Sequence, residues 1–158
     1  MPTNFPSGVQ SRGVPVEGFG GIGSPLLTMG NIYHVDSGAD TADNDNAGTN
    51  PKQPLATLDG AIGKCTASNG DVILVHPGHA ETISAAAAIT FDVAGVTVIG
   101  MGTGNSRPTI TLDTATSTDI NVTADDTQIH NMIFSMNYAD IAAPFDLSAE
   151  GFVLNQCR

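Results

Sequence analysis

Positive charge is what this chain has least of. Five Lys and Arg stand against 16 Asp and Glu, a formal net charge of −11 over 158 residues. Binding to nucleic acid needs cationic side chains that displace counterions, and binding to anionic lipid needs the same. The composition argues against both partners. Trp is absent and aromatics make up only 5% of the chain, so stacking platforms for sugar rings are in short supply. Two cysteines, Cys65 and Cys157, are too few for a disulfide scaffold; they read as buried free thiols, with pairing as the alternative. No apolar run approaches the roughly 20 residues of a membrane helix. The opening "MPTNFPSGVQSRGVPVEGFGG" lacks the basic-then-apolar pattern of a secretory signal, and a soluble protein made in a cytoplasm is expected.

Small and β-branched residues are what is present. Gly numbers 18, and only 13% of residues are charged. Short Val-, Ile- and Thr-bearing clusters bounded by Gly, Asp, Asn or Pro predict an all-β protein with tight corners. The chain divides into three sections. Residues 1–30 are rich in Gly and Pro and hold no helical or alternating period. They read either as a disordered tail or as an extended arm that orders on a partner. Phe5, Val9, Arg12, Val14, Val16, Phe19, Ile22, Leu26 and Leu27 are the arm's candidate partner-binding residues, because a pure linker would lack such apolar anchors. Residues 31–70 contain a strand candidate, "NIYHVD", a polar loop and a short helix. Leu55, Leu58, Ile62 and Cys65 share one helical face, with Thr57 as N-cap, and predict a helix over residues 57–66. Residues 71–158 carry a repeat.

The phrases "ITFDVAGVTVIG", "INVTADDTQIHNMIF" and "FDLSAEGFVLNQC" begin at Ile89, Ile120 and Phe145, 31 and then 25 residues apart. In register, Phe91, Val122 and Leu147 follow, then corner residues Gly95, Asp126 and Gly151, then Val98, Ile129 and Leu154. A strand, a sharp corner and a second strand at this period predict a parallel β-helix whose coils stack in columns. The runs "TITLD" and "GDVILVHPGH" supply further strands. The helix is placed to cap the first coil. The other end shows no candidate cap, so either a partner covers it or the sequence is a shortened form of a longer protein.

The stretch from Tyr33 to Ile83 resembles the opening of right-handed parallel β-helix proteins of the pectate-lyase-like superfamily. The resemblance rests on Tyr33 and Val35, the Asp- and Asn-rich loop from Asp36 to Gly48, Gly48-Thr49, Pro54, Thr57, Ala61-Ile62, Gly70-Asp71, Pro77-Gly78 and Glu81. It implies a right-handed solenoid of a few coils with a short N-terminal capping helix and the extended arm. The wording "CTASNGDVILVHPGHAETI" followed by "ITFDVAGVTVIGMGTGNSRPTI" is similar to structural proteins of tailed bacteriophages. That similarity implies a virion component, best matched in size by a capsid decoration (cement) protein. Its partner would be the major capsid protein, its state a homotrimer, and its location the capsid surface.

Candidate sites are few. Arg12, Lys52, Lys64, Arg107 and Arg158 do not face a carboxylate cluster on any coil strand, so no catalytic constellation and no enzyme are expected. Asp125-Asp126 falls at a corner, where Asp serves turn geometry. Asp40, Asp43 and Asp45 suggest a Ca²⁺ loop, against a solvated polar loop as the simpler account. His76, His79 and Glu81 offer zinc-ligand types, against a Pro-Gly turn. No cofactor is expected beyond that Ca²⁺ possibility. The rival function is a tail fibre or tailspike fragment that binds or cleaves host glycans.

Overall fold

In the computed structural model, the described residues are 28–113 and 117–158, with the backbone pairing of Gln10–Ser11 (β1) and Val14–Pro15 (β2), which run antiparallel. Strand β3 (Ile32–Val35) is followed by the polar loop and an α-helix, α1 (Leu58–Ile62). Three coils then follow. The first is β4 (Val72–Val75), β5 (Ala80–Ile83) and β6 (Ile89–Phe91). The second is β7 (Thr97–Gly100), β8 (Thr109–Leu112) and β9 (Ile120–Val122), with a 3₁₀ turn at Gly104–Ser106. The third is β10 (Gln128–His130), β11 (Ile133–Met136) and β12 (Phe145–Leu147), and β13 (Val153–Asn155) lies beyond it. Equivalent strands stack into three parallel sheets, ordered β3-β4-β7-β10-β13, β5-β8-β11 and β6-β9-β12. The molecule is a parallel β-solenoid of about three turns.

The repeat predicts the register. Ile89 pairs with Ile120, which pairs with Phe145, and Phe91 with Val122 and then Leu147. Val98 pairs with Ile129, and Ile129 with Leu154. Ile89, Phe91, Val98, Ile120, Val122 and Ile129 of these columns, with Ile73, Ile110 and Leu112, form one core. The corner column also holds: Gly95, Asp126 and Gly151 all have positive φ, at 75°, 57° and 71°. Gly151 has a second reason to be glycine, because a Cβ there would lie 2.5 Å from Asp126 Oδ1. Asp125 Oδ1 accepts the Glu150 amide at 2.8 Å, so the Asp pair serves the corner.

Two expectations need correction. Each coil has three strands rather than two: positive-φ turns at Gly78 and Gly102 divide the first and second coils, and Asn131, at φ 57°, breaks "QIHNMIF" into β10 and β11 in the third. Asn tolerates this conformation at low cost. The helix covers five residues instead of the ten expected over 57–66. Gly60 and Gly63 are weak helix formers, and Asp71 Oδ2 takes the Thr66 amide at 2.7 Å into another turn. Thr57 is the N-cap as expected, its hydroxyl accepting from the Gly60 amide at 3.1 Å.

α1 closes the first end of the solenoid. Its Leu58, Ala61 and Ile62 are buried in the core with Leu55. Polar contacts fix it on the first coil: Glu81 Oε2 accepts the Leu58 amide at 2.9 Å, and Asp59 Oδ1 accepts the Thr90 amide at 3.0 Å. Asp71, fully buried, joins the neighbouring pieces. Its Oδ1 accepts from the Asn31 amide at 2.6 Å and from Asn69 Nδ2 at 2.7 Å. A buried carboxylate is tolerable only with its acceptor sites filled in this way. Thr28 anchors the preceding segment by donating its hydroxyl to the Gly70 carbonyl.

Cys65 and Cys157 are both free thiols, each half-buried. Burial, and then the nearby Asp71 carboxylate, pushes the Cys65 thiol up to about 12. The thiolate is the reactive form, so native Cys65 is expected to resist iodoacetamide at pH 8 and to react readily once the chain is unfolded. Peptide mapping of the alkylated protein reads this directly, and fast native labelling of Cys65 would contradict the packing around α1.

Candidate functional site

The two ends of the solenoid differ. At the first, α1 and β3 cover the inward columns. At the second, the same columns run out into solvent. Phe91 and Val122 are 0% exposed, but Leu147, next in their column, is 52% exposed. Leu112 is 0% exposed and its partner Met136 is 50% exposed; Ile129 is 0% and Leu154 44%. One rung is buried by the next, and no described rung follows β11, β12 and β13.

Larger side chains partly fill the last rung. Phe134 follows Ile110 and Phe145 follows Ile120 in their columns. Phe134 and Phe145 meet edge-to-face with centroids 5.0 Å apart, and Phe152 lies 6.0 Å from Phe145. The rings shield the Val and Ile layer beneath them and leave Met136, Tyr138, Leu147 and Leu154 around them exposed. Each of the three sheets ends there in an edge strand, although Arg158 accepts the Phe134 amide at 2.7 Å at the start of β11. Exposed Asp140, Asp146 and Glu150 stand in the same coil. Arg107 braces this end by donating to the Gln156 carbonyl at 2.9 Å and to the Gly104 carbonyl at 3.1 Å. Apolar surface beside unpaired strand edges is surface that a further rung or a partner would cover.

The other candidate residues are placed as follows. The side chains of Phe5, Val9, Arg12, Val14, Val16, Phe19, Ile22, Leu26 and Leu27 lie outside the described residues. In the polar loop, Asp43 Oδ1 accepts the Asp45 amide at 2.9 Å and Asp36 Oδ1 the Gly38 amide at 3.0 Å. Asn44 Oδ1 holds the Ala56 and Thr57 amides at 3.0 and 3.1 Å. These side chains shape the loop and set the N-cap of α1. Among the described residues no group of three or more His, Cys, Asp or Glu is arranged to hold a metal ion.

"HPGH" separates on folding. His79 turns inward and is 1% exposed. Its Nδ1 accepts from the Ser37 amide at 3.0 Å, and its Nε2 faces Glu81 Oε2 at 3.4 Å. It is a strut between the loop, the first coil and α1. His76 instead faces His34 across two strands, with Nε2 3.0 Å from His34 Nδ1. Asp36 Oδ2 lies 3.7 Å from the other nitrogen of His76. Burial, and then His76, hold His34 below the ordinary imidazole range. Sequence reasoning missed this pair because the two residues are 42 positions apart and only strand register brings them together.

The contrast along one column is measurable. Phe91→Ala is expected to cost about 3–5 kcal/mol, and Leu147→Ala under about 1 kcal/mol, by denaturant unfolding. Equal costs would mean that the second end is covered in the isolated chain.

Comparison with protein-family models, with curated proteins and with solved structures finds no significant match. Residue geometry therefore carries the functional argument.

Proposed function

We propose that the protein is a virion structural protein of a tailed bacteriophage, a capsid decoration or cement protein. In this proposal the N-terminal arm lies on the major capsid protein and the solenoid is a rigid outer body. Copies cluster as trimers, and the assembled shell gains stability because the protein binds the shell and not its separated subunits. The resemblance to right-handed pectate-lyase-like β-helix proteins and to phage structural proteins motivates the assignment.

The observation that carries the reading is the asymmetry of the solenoid. One end is closed by its own helix, while the other presents Met136, Leu147 and Leu154 beside a Phe cluster. A body of this kind suits a fixed place in an assembly, where a symmetric interface can be reused. Few charged residues and a rigid core of stacked strands suit a scaffold role. One observation favours the second reading, a tail fibre or tailspike fragment that engages host glycans: Tyr138, 42% exposed near the uncovered end, is an accessible aromatic ring.

The test uses phage shells that lack the protein. The full chain is expected to bind at symmetric lattice positions visible by electron cryomicroscopy. A chain lacking residues 1–27 retains Thr28 and its contact to Gly70; it is expected to fold and to lose shell binding. Undiminished binding by that truncation would overturn the arm's role. Bare shells with the full chain, together with a glycan-array hit lost in Tyr138→Ala, would replace the proposal with the second reading.

A further inference from the structure

We propose that His34 and His76 form an open binding site for a divalent transition-metal ion of the class that prefers imidazole, such as Zn²⁺, Ni²⁺ or Cu²⁺. Strands β3 and β4 pair in parallel, Val35 beside Val75. His34 points from β3, and His76 follows the last residue of β4, its amide donating to the Val35 carbonyl at 2.8 Å. This register brings the two rings together, edge-on at 78° with centroids 5.3 Å apart.

The nitrogen separation is the central observation. Nδ1 of His34 and Nε2 of His76 are 3.0 Å apart. Zinc–imidazole bonds of about 2.0–2.1 Å place two adjacent ligand nitrogens about 2.9–3.4 Å from each other around one ion. The rings already hold that spacing, and a rotation of each by roughly 35–45° turns both nitrogens from each other toward one ion. Asp36 supports the arrangement. Its Oδ2 beside Nδ1 of His76 favours the tautomer with a proton there, which leaves Nε2 as the donor atom for a metal. Asp36 is itself held by the Gly38 amide.

The protons balance without an added reagent. In the metal-free pair, His34 Nδ1–H donates to His76 Nε2. When the ion enters, that proton leaves Nδ1 and another is taken up from solvent at Nε2 of the same ring. Both imidazoles stay neutral, and no net proton is released. Water completes the coordination shell, which it can reach because the His76 and Asp36 side chains are 19% and 25% exposed. Two protein ligands make a weak, exchangeable site rather than a structural one with four. The net charge of −11 raises the local concentration of cations. His79 is unsuited because its nitrogens serve Ser37 and Glu81, and His130 Nε2 faces Gln128 Oε1 at 3.2 Å, away from the pair.

The test is titration of the full chain with Zn²⁺ at pH 7.5 against a chromophoric zinc indicator. Proton–nitrogen correlation spectra of the imidazoles are recorded in parallel. One equivalent per chain is expected to bind with micromolar affinity and to shift His34 Nδ1 and His76 Nε2 while leaving His130 unmoved. Asp36→Asn is expected to weaken binding about tenfold. His34→Gln and His76→Gln should weaken it more, and His130→Gln should leave it unchanged. The wild-type spectra decide the matter even if a Gln variant fails to fold. Absence of micromolar binding, binding that survives both Gln variants, or Zn²⁺ shifts elsewhere than at His34 and His76 would each overturn the site.

Discussion

A coil of this chain cannot bury its inward face alone. A single rung of three short strands exposes half of its side chains to whatever lies above and below it, and only another rung of the same cross-section fits. That constraint explains the repeat, because Ile89, Ile120 and Phe145 must share a column to share a core. It explains why all the sheets of the solenoid are parallel. It also explains the two different ends. At one, α1 stands in for a rung, donating a hydrogen bond to Glu81 and accepting one from Thr90. At the other, the columns finish on Phe134, Phe145 and Phe152, which spread over the cross-section and leave an exposed rim.

Stacking fixes spacing along the solenoid axis, and corners fix the path within each rung. The column Gly95, Asp126, Gly151 turns the chain with positive φ at every level. Between corners the coils tolerate inserted residues, as in the 3₁₀ turn before β8, because an excursion outside the stack costs little in loop entropy. Buried polar groups tie these pieces together. Asp71 holds Asn31 before β3 and Asn69 before β4, and His79 links the loop to the first coil; the partly buried Asn131 adds its Nδ2, which donates to the Gly100 and Gly102 carbonyls at 2.8 and 3.0 Å. An exposed strand edge invites indiscriminate pairing, and the last coil carries exposed Asp140, Asp146 and Glu150, whose like charges oppose it.

Much of this was legible in the amino-acid order. Alternating β-branched residues at a repeating interval predicted the columns and the corner residues, because burial of one strand face imposes both. The middle strands β5 and β11 were harder to see than β8, which "TITLD" marks. β5 reads "AETI", and only Ile83 of its four residues is buried, so alternation barely marks it. β10 and β11 merged into one phrase because Asn131 is a weaker turn signal than Gly. The helix looked longer than it is because Cys65 continues the apolar spacing past the Gly63 that ends it. Nearness in sequence favoured His76 with His79, yet a reversal at Pro77-Gly78 sends them to opposite surroundings. The pairing of His34 with His76 is a product of register, which is a property of the fold and not of any local motif.

Order in this molecule propagates from a closed end toward an uncovered one. Residue-resolved native-state hydrogen exchange tests it most directly, since amide protection reports the free energy of local opening. The strongest protection is expected in β4 and β7, which have a paired strand on both sides, with a decline to β12 and β13 at the uncovered end. Uniform protection through β13, or greater protection there than in β4, would contradict it.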